Sequence, residues 1–482
     1  MRLRQARQAS FLAREGAALN QAGEKAELLR MVHEGGPCLF CADRRAADNR
    51  FWFWYLNENY NDPSTLARLA RSHGFCSRHA RQLLVRADPM TATFVMTYLM
   101  RVARGWLEPH TRRLLGSARP RLDRVLSAVA PCPACAREEA VFQARLISLL
   151  RQAREVDVRA TVSSSPTICA RDFFDAASRV LDEDLQLLGQ LTRCSLNLAP
   201  DDPIARLESA RGARDPGYRS VTQSATDSSH SQPATVGEHL LTLIEDGTCP
   251  VCAAANERVD RFLRWLIEQV RNDERLASEA LPALCPRHAW AAAELSPTAA
   301  EHLGKAIHAH WCARVDGYFA GLAEIASHRN ARRRRREVHL SGARDLPSED
   351  GLRARLLQPY SCPACHHRAT AVERTCRLVA AGLAIPIVRA AYENSPGLCL
   401  PHLRGFAALG VDKATHDLVA DAAEARIGLL LWELEEAQRR VAWDARFETE
   451  GPEDSAWRRA IATYSGVPQE PASSRHHSGF DG

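Results

Sequence analysis

Lysine is almost missing from this chain: Lys25, Lys305 and Lys413 stand against 60 arginines. A skew this uniform reads as coding bias, since arginine everywhere cannot mean arginine-specific recognition everywhere. The net charge of only +5 over 482 residues excludes a general cationic coat for nucleic acid. Long apolar runs are missing too. The longest, near Thr91–Met100 and Leu378–Val388, are too short to span a bilayer, and the first ten residues lack the apolar core of a signal peptide. The expectation is a cytoplasmic protein that does not engage a membrane. Also lacking are a phosphate-cradling glycine loop, GxSxG, HExxH and any nucleophile at a recognisable distance from a base, so no catalytic site is evident. Strand-like alternation is nowhere sustained, which predicts an all-α fold.

Cysteine is abundant, at 15 residues. In a reducing compartment clustered thiols read as metal ligands, and an odd count argues against a disulfide framework. Twelve of them fall in a pattern repeated four times, a CxxC answered by a CxxH. Cys38 and Cys41 precede Cys76 and His79; Cys249 and Cys252 precede Cys285 and His288; Cys362 and Cys365 precede Cys399 and His402. Cys132 and Cys135 precede Cys169, but Asp172 stands where histidine is due. From the second to the third cysteine the steps are 35, 34, 33 and 34 residues. The simplest reading closes each CxxC on the CxxH that follows it, giving three Cys3His zinc sites. A fourth would be either Cys3Asp or degenerate, because Asp at a helix start is also an ordinary capping residue. An open catalytic site there lacks a nearby general base.

Each repeat reads as helical. Leu28–Cys38 and Leu240–Cys249 are apolar at helical spacing and arrive at the first ligand through glycine, suited to a left-handed helix cap. The second and fourth CxxC follow shorter leads, Arg124–Pro131 and Arg355–Ser361. The repeats therefore pair, first with third and second with fourth, as an internal duplication. Between CxxC and CxxH lie two helices. In the third repeat Val259, Phe262, Leu263, Leu266, Ile267 and Val270 form one stripe, and Asn272 suits the N-cap of a shorter helix running to Ala280. In the first, a helix carrying Phe51, Trp52, Trp54 and Tyr55 runs to Asn61-Asp62-Pro63, and a second stops at His73-Gly74. The aromatic group reads as core. Further helices follow each CxxH, such as Ala299–Ala326 and Ala414–Arg439.

Composition divides the chain into residues 1–198, holding the first two repeats; a polar, Pro- and Ser-rich linker at 199–237; the third repeat at 238–328; an Arg-rich linker at 329–351; the fourth repeat at 352–464; and a tail at 465–482. The run Arg332–Arg336 could meet nucleic acid or another anionic surface, but no aromatic platform accompanies it. Cys362-Pro-Ala-Cys365-His366 also matches a c-type haem signature. Against haem, the slot of His366 holds Ala42, Ala136 and Ala253 in the other repeats. Cys194, Cys312 and Cys376 remain outside the pattern.

The stretch Arg50–Leu84, with Asn61-Asp62-Pro63 and Gly74-Phe75-Cys76-Ser77-Arg78-His79, resembles an uncharacterised bacterial family, a domain of unknown function, whose members carry CPxC, a helical insert and GxCxxH. The C-terminal stretch Leu434-Glu435-Glu436 through Trp457-Arg458-Arg459-Ala460 is similar to the end of that family. The resemblance implies a helical metal-binding protein and supplies no substrate. The expectation is thus a zinc-binding structural or interaction protein, a scaffold or adaptor with a protein partner. A nucleic-acid-associated regulator and a thiol-zinc redox sensor are the alternatives.

Overall fold

The computed structural model describes residues 23–34, 38–111, 126, 130–164, 168–197, 207–208, 236–273, 279–295, 297–334, 348–358, 361–442, 448–449 and 451–466. Among them every regular element is helical and there is no strand. In chain order the helices are α1 (23–34), α2 (Leu39–Trp54), α3 (Pro63–Arg71), α4 (Ser77–Arg86), α5 (Pro89–Thr111), α6 (Pro133–Gln152), α7 (Val156–Ser163), α8 (Ala170–Ala177) and α9 (Asp182–Asn197). The second half adds α10 (Val236–Glu245), α11 (Pro250–Asn272), α12 (Pro286–Leu295), α13 (Pro297–Arg334), α14 (Glu349–Leu357), α15 (Pro363–Gly382), α16 (Pro386–Glu393), α17 (Leu400–Ala407), α18 (Lys413–Arg439) and α19 (Ala456–Ser465). No helix among the described residues is long and apolar enough to cross a membrane.

The local signals act where the sequence puts them. Asp62 caps α3, its carboxylate accepting from the Thr65 N–H at 2.7 Å, with Pro63 in the first turn. That helix ends through His73 and Gly74, both with positive φ. Gly74 is irreplaceable on two counts: its φ is +75°, and a Cβ there would lie 2.6 Å from the Tyr464 ring. Gly247 likewise takes φ +70° on the approach to Cys249; residues 35–37, its counterparts before Cys38, lie outside the described residues. Asn272 is the last residue of α11; of the shorter helix expected after it, residues 279–280 are helical and 274–278 lie outside the described residues. Trp52 and Tyr55 are core, as expected, whereas Phe53 and Trp54 on the same helix face solvent.

The chain forms two compact units, each assembled from three separate segments. The first contains residues 1–47, 138–215 and 263–365; the second contains 48–137, 216–262 and 366–482. Both therefore draw on both halves of the chain. Of the five places where the chain passes between units, four fall within α2, α6, α11 and α15, the helices that follow the CxxC turns, and the fifth, at 215/216, lies outside the described residues.

In the first unit, α9 from the first half packs on α13 from the second. Gly189 lets the Phe319 ring approach so closely that a Cβ would sit 2.6 Å from it. Phe174 meets Trp311 with centroids 4.1 Å apart, and the Arg314 guanidinium lies about equally near both rings, at 5.0 and 5.1 Å. Arg353 donates to the carbonyls of Val180 at 2.6 Å and Ala177 at 3.2 Å, at the end of α8, and pairs with Asp182 at 2.5 Å.

In the second unit α5 and α18 form the central pair. Ala92, Val95, Met96, Leu99, Met100, Ala103 and Leu107 bury one stripe of α5, and Val419, Ala420, Ala423, Ile427, Leu431 and Leu434 the matching stripe of α18. Gln438 donates to Thr97 at 2.8 Å, Arg101 pairs with Glu435 at 2.7 Å and Arg104 with Glu424 at 3.6 Å. The partner's number falls as the first rises, so the helices are antiparallel. The terminal α19 packs on both and is pinned to α18 by Arg459–Glu433 at 2.8 Å, while Arg440–Glu453 at 2.5 Å holds the 3-10 turn Pro452–Ser455 that leads into it; both glutamates are buried.

The stretches read as linkers fall mostly outside the described residues. Only 207–208 and 236–237 of the first are described, and 335–347 of the second are not. Helix α13 continues to Arg334 and α14 begins at Glu349, so the second linker is shorter than its composition implies. Of the Arg332–Arg336 run, Arg332 to Arg334 fall in the last turn of α13; their side chains and Arg335 and Arg336 lie outside the described residues. Of the tail, Ser465 and Gly466 are described and 467–482 are not.

Candidate metal centres

All sixteen predicted ligands converge in four groups, each able to hold a metal ion. The grouping is not the one read from spacing. Cys38 and Cys41 meet Cys169 and Asp172, while Cys76 and His79 meet Cys132 and Cys135. Cys249 and Cys252 meet Cys399 and His402, while Cys285 and His288 meet Cys362 and Cys365. No CxxC closes on the CxxH that follows it. Within each half the outer two motifs form one group and the inner two the other.

The correction has a simple cause. Each CxxC opens a long helix, and at about 1.5 Å per residue the 20 residues of α6 or α15 span about 30 Å. The helix after it has eight residues in α7 and α16, nine in α3, and covers less than half that distance. The short helix cannot retrace the long one, so the chain does not return to the CxxC it left.

Three groups share one geometry. His79 Nδ1 lies 3.3, 3.4 and 3.3 Å from the sulfurs of Cys76, Cys132 and Cys135. His402 Nδ1 lies 3.4, 3.3 and 3.2 Å from Cys249, Cys252 and Cys399. His288 Nδ1 lies 3.3, 3.4 and 3.4 Å from Cys285, Cys362 and Cys365. Sulfur–sulfur separations in them are 3.6 to 3.7 Å, far beyond a disulfide bond of about 2.05 Å. An ion about 2.3 Å from sulfur and 2.0–2.1 Å from nitrogen gives tetrahedron edges of about 3.8 and 3.5 Å. The three groups match those edges to within a few tenths of an ångström. Cys362 and Cys365 are thereby engaged with Cys285 and His288, while His366 is exposed.

The fourth group puts a carboxylate in the histidine's place. Asp172 Oδ2 lies 3.2, 3.1 and 3.3 Å from the sulfurs of Cys38, Cys41 and Cys169, and Cys41 lies 3.8 Å from Cys169. Its other oxygen, Oδ1, accepts from Arg44 at 2.7 Å, and Arg44 also pairs with Asp175. Asp172 is fully buried. That burial, and then the negative Cys41 beside it, push its carboxyl up to about 7 against the pull of Arg44; a bound cation reverses this balance.

Helix starts supply the placement. Each CxxC turn leads into its long helix, and Cys76, Cys169 and Cys399 sit at the N-cap position of α4, α8 and α17. The fourth ligand follows on the same face three residues on, where helix-start N–H groups favour thiolate charge. Outside the ligands, His79 turns Nε2 toward the nearly buried Asp48 carboxylate at 3.4 Å, a contact that fixes the ring. Gly466, at φ +69°, brings its carbonyl to 3.5 Å from the Cys252 sulfur. Neither Asp48, Arg44 nor Gly466 was singled out from the sequence. For Arg44 a signal existed: it lies three residues after Cys41, one helical turn along. The groups differ in exposure: the His402 group is buried throughout, while Cys365 is exposed and Cys285 half-buried.

Comparison with family models, with curated proteins and with solved structures returned no match to this chain.

Proposed function

We propose that the chain is a cytoplasmic zinc-binding scaffold or adaptor, in which closed metal sites hold a helical framework that presents a surface to a protein partner. The observation that carries it is the donor sets: three sulfurs and one nitrogen at tetrahedral edge lengths leave no position for a substrate or water, the mark of a structural rather than a catalytic site. Thiolates and imidazole suit zinc in a reducing compartment. The resemblance to the uncharacterised bacterial family with CPxC and GxCxxH motifs accords with this reading. A surface for a partner is offered by α18, whose outward face carries Leu429 and Trp432, 55% and 58% exposed and one turn apart.

Elemental analysis of protein purified without added metal tests the metal reading: at least three zinc per chain are expected, and fewer than two with all cysteines reduced sinks it. Crosslinking in the native host with Trp432→Ala as comparison tests the partner: loss of a specific crosslinked protein is expected, and an unchanged set overturns the α18 surface.

A second reading, a thiol-zinc redox sensor, is favoured by the exposed Cys365 lying 3.7 Å from Cys285. Peroxide would take two electrons from that thiolate pair, forming the disulfide and two waters with two protons, and zinc would leave. Reversible release of one zinc by dilute peroxide supports it; full retention dismisses it. The nucleic-acid reading rests on the Arg332–Arg336 run alone.

A further inference from the structure

The two halves of the chain build their outer groups from equivalent positions, and the pair differs at three of them together. Counting from the ligands, Arg44 follows Cys41 by three residues as Ala255 follows Cys252. Asp175 follows Asp172 by three as Gly405 follows His402. One half thus carries Ala255, His402 and Gly405, and the other Arg44, Asp172 and Asp175. A position that had merely lost its histidine gives no reason for a largely buried arginine to arrive beside it.

We infer that the Cys38, Cys41, Cys169 and Asp172 group is a fourth, complete metal site of Cys3Asp type, with Arg44 as the residue that makes a carboxylate usable as its fourth ligand. The inference rests on the zinc reading of the other three groups. Three observations meet here. Asp172 Oδ2 lies within 3.1 to 3.3 Å of all three sulfurs, as each histidine nitrogen does in its own group. Arg44 donates to Oδ1 and leaves Oδ2 to face the sulfurs. The guanidinium is itself fixed, by Asp175 on one side and by the Phe142 ring 4.1 Å away on the other.

Charge accounts for the arginine. A divalent ion with three thiolates and a neutral imidazole carries one net negative charge; a carboxylate in the imidazole's place adds a second. Around the fully buried Asp172 a second negative charge is costly, and Arg44 offsets it; Asp175, which the same guanidinium pairs, is about a third exposed and keeps its own charge in reach of solvent. The oxygen ligand is harder than imidazole, so this site differs from the other three in metal preference.

The test uses the full-length, metal-loaded protein. Zinc is counted by elemental analysis and native mass spectrometry, and each cysteine is scored for protection against rapid alkylation. Four zinc per chain are expected, with Cys38, Cys41 and Cys169 protected. Asp172→Ala is expected to hold three zinc and expose those three cysteines alone. Arg44→Gln, which keeps every ligand, is expected to weaken one site of the four at least tenfold in competition with a chelator. Should Asp172→Ala fail to fold, Asp172→His with Arg44→Ala and Asp175→Gly transplants the other half's set. It is expected to restore four zinc and, after cobalt loading, to change the visible absorption of one site in four. Three zinc in the wild type, with Cys38, Cys41 and Cys169 alkylated and the other nine protected, overturns the site and leaves the other three standing. Four zinc retained by Asp172→Ala with an unchanged cobalt spectrum overturns Asp172 as ligand. Loss of protection in the histidine groups instead counts against the broader zinc reading.

Discussion

The group around Asp172 and the group around His402 occupy equivalent places in the two halves, yet are finished by different means. At His402 the fourth candidate donor is an imidazole, the residue three after the CxxC is the small, fully buried Ala255, and the left-handed Gly466 lies against the sulfurs. At Asp172 the candidate donor is a carboxylate, and a largely buried arginine and a second aspartate stand where the other half has alanine and glycine. The same backbone pattern therefore accepts either chemistry, provided the surroundings are matched to the charge of the fourth ligand. Geometry is set by the CxxC turn and the helix start; electrostatics is set three residues away.

The strongest way to break the comparison is to remove a sulfur from one group only. Cys399→Ala is expected to abolish cooperative melting of the second unit, since a structural zinc contributes on the order of 10–16 kcal/mol in small zinc peptides at neutral pH. The Asp172 group, in the other unit, is expected to keep its metal, as read by alkylation of Cys38. Arg44→Ala strikes the carboxylate group instead. It leaves Asp172 without the guanidinium at Oδ1, and a loss of zinc affinity of at least about tenfold is expected at Cys38, Cys41 and Cys169 in chelator competition, with the His402 cysteines still protected. A smaller effect is expected from Gly466→Ala, where a Cβ at φ +69° meets the Cys399 sulfur at 3.2 Å. Strain of about 1–3 kcal/mol should lower zinc retention at the His402 group alone. Asp62→Ala, which removes the cap of α3, is expected to cost about 1 kcal/mol without changing zinc stoichiometry at any group. The smallest effect is expected from cutting the chain at a protease site introduced between 209 and 235. Each unit holds segments from both halves, so the fragments should co-elute on a native sizing column; separate peaks would refute the interleaving.

Much of this was legible in one dimension. The side chains that gather in four groups, the helical fold, the stop at His73-Gly74 and the core role of Trp52 and Tyr55 follow from rules acting within a few residues. The pairing of motifs was not legible, and a regular step of about 34 residues suggested the wrong one. Such a step records a repeat, not a contact: it measures chain length, whereas a stiff helix converts that length into distance. Arg44 was hidden for a related reason. Among 60 arginines its place three residues after Cys41 is a weak mark, and its role shows only when the Asp172 carboxylate is brought to it from 128 residues away.

The sequence by itself determined which side chains could serve as donors, their clustering in CxxC turns and helix starts, and a helical chain. Only the tertiary structure decided which CxxC meets which CxxH, that each compact unit takes segments from both halves, and that Asp172 faces three sulfurs with Arg44 behind it. Local conformation obeys neighbours in sequence; convergence of four ligands obeys the lengths and directions of helices, which carry each motif away from its neighbour in sequence and deliver it to another.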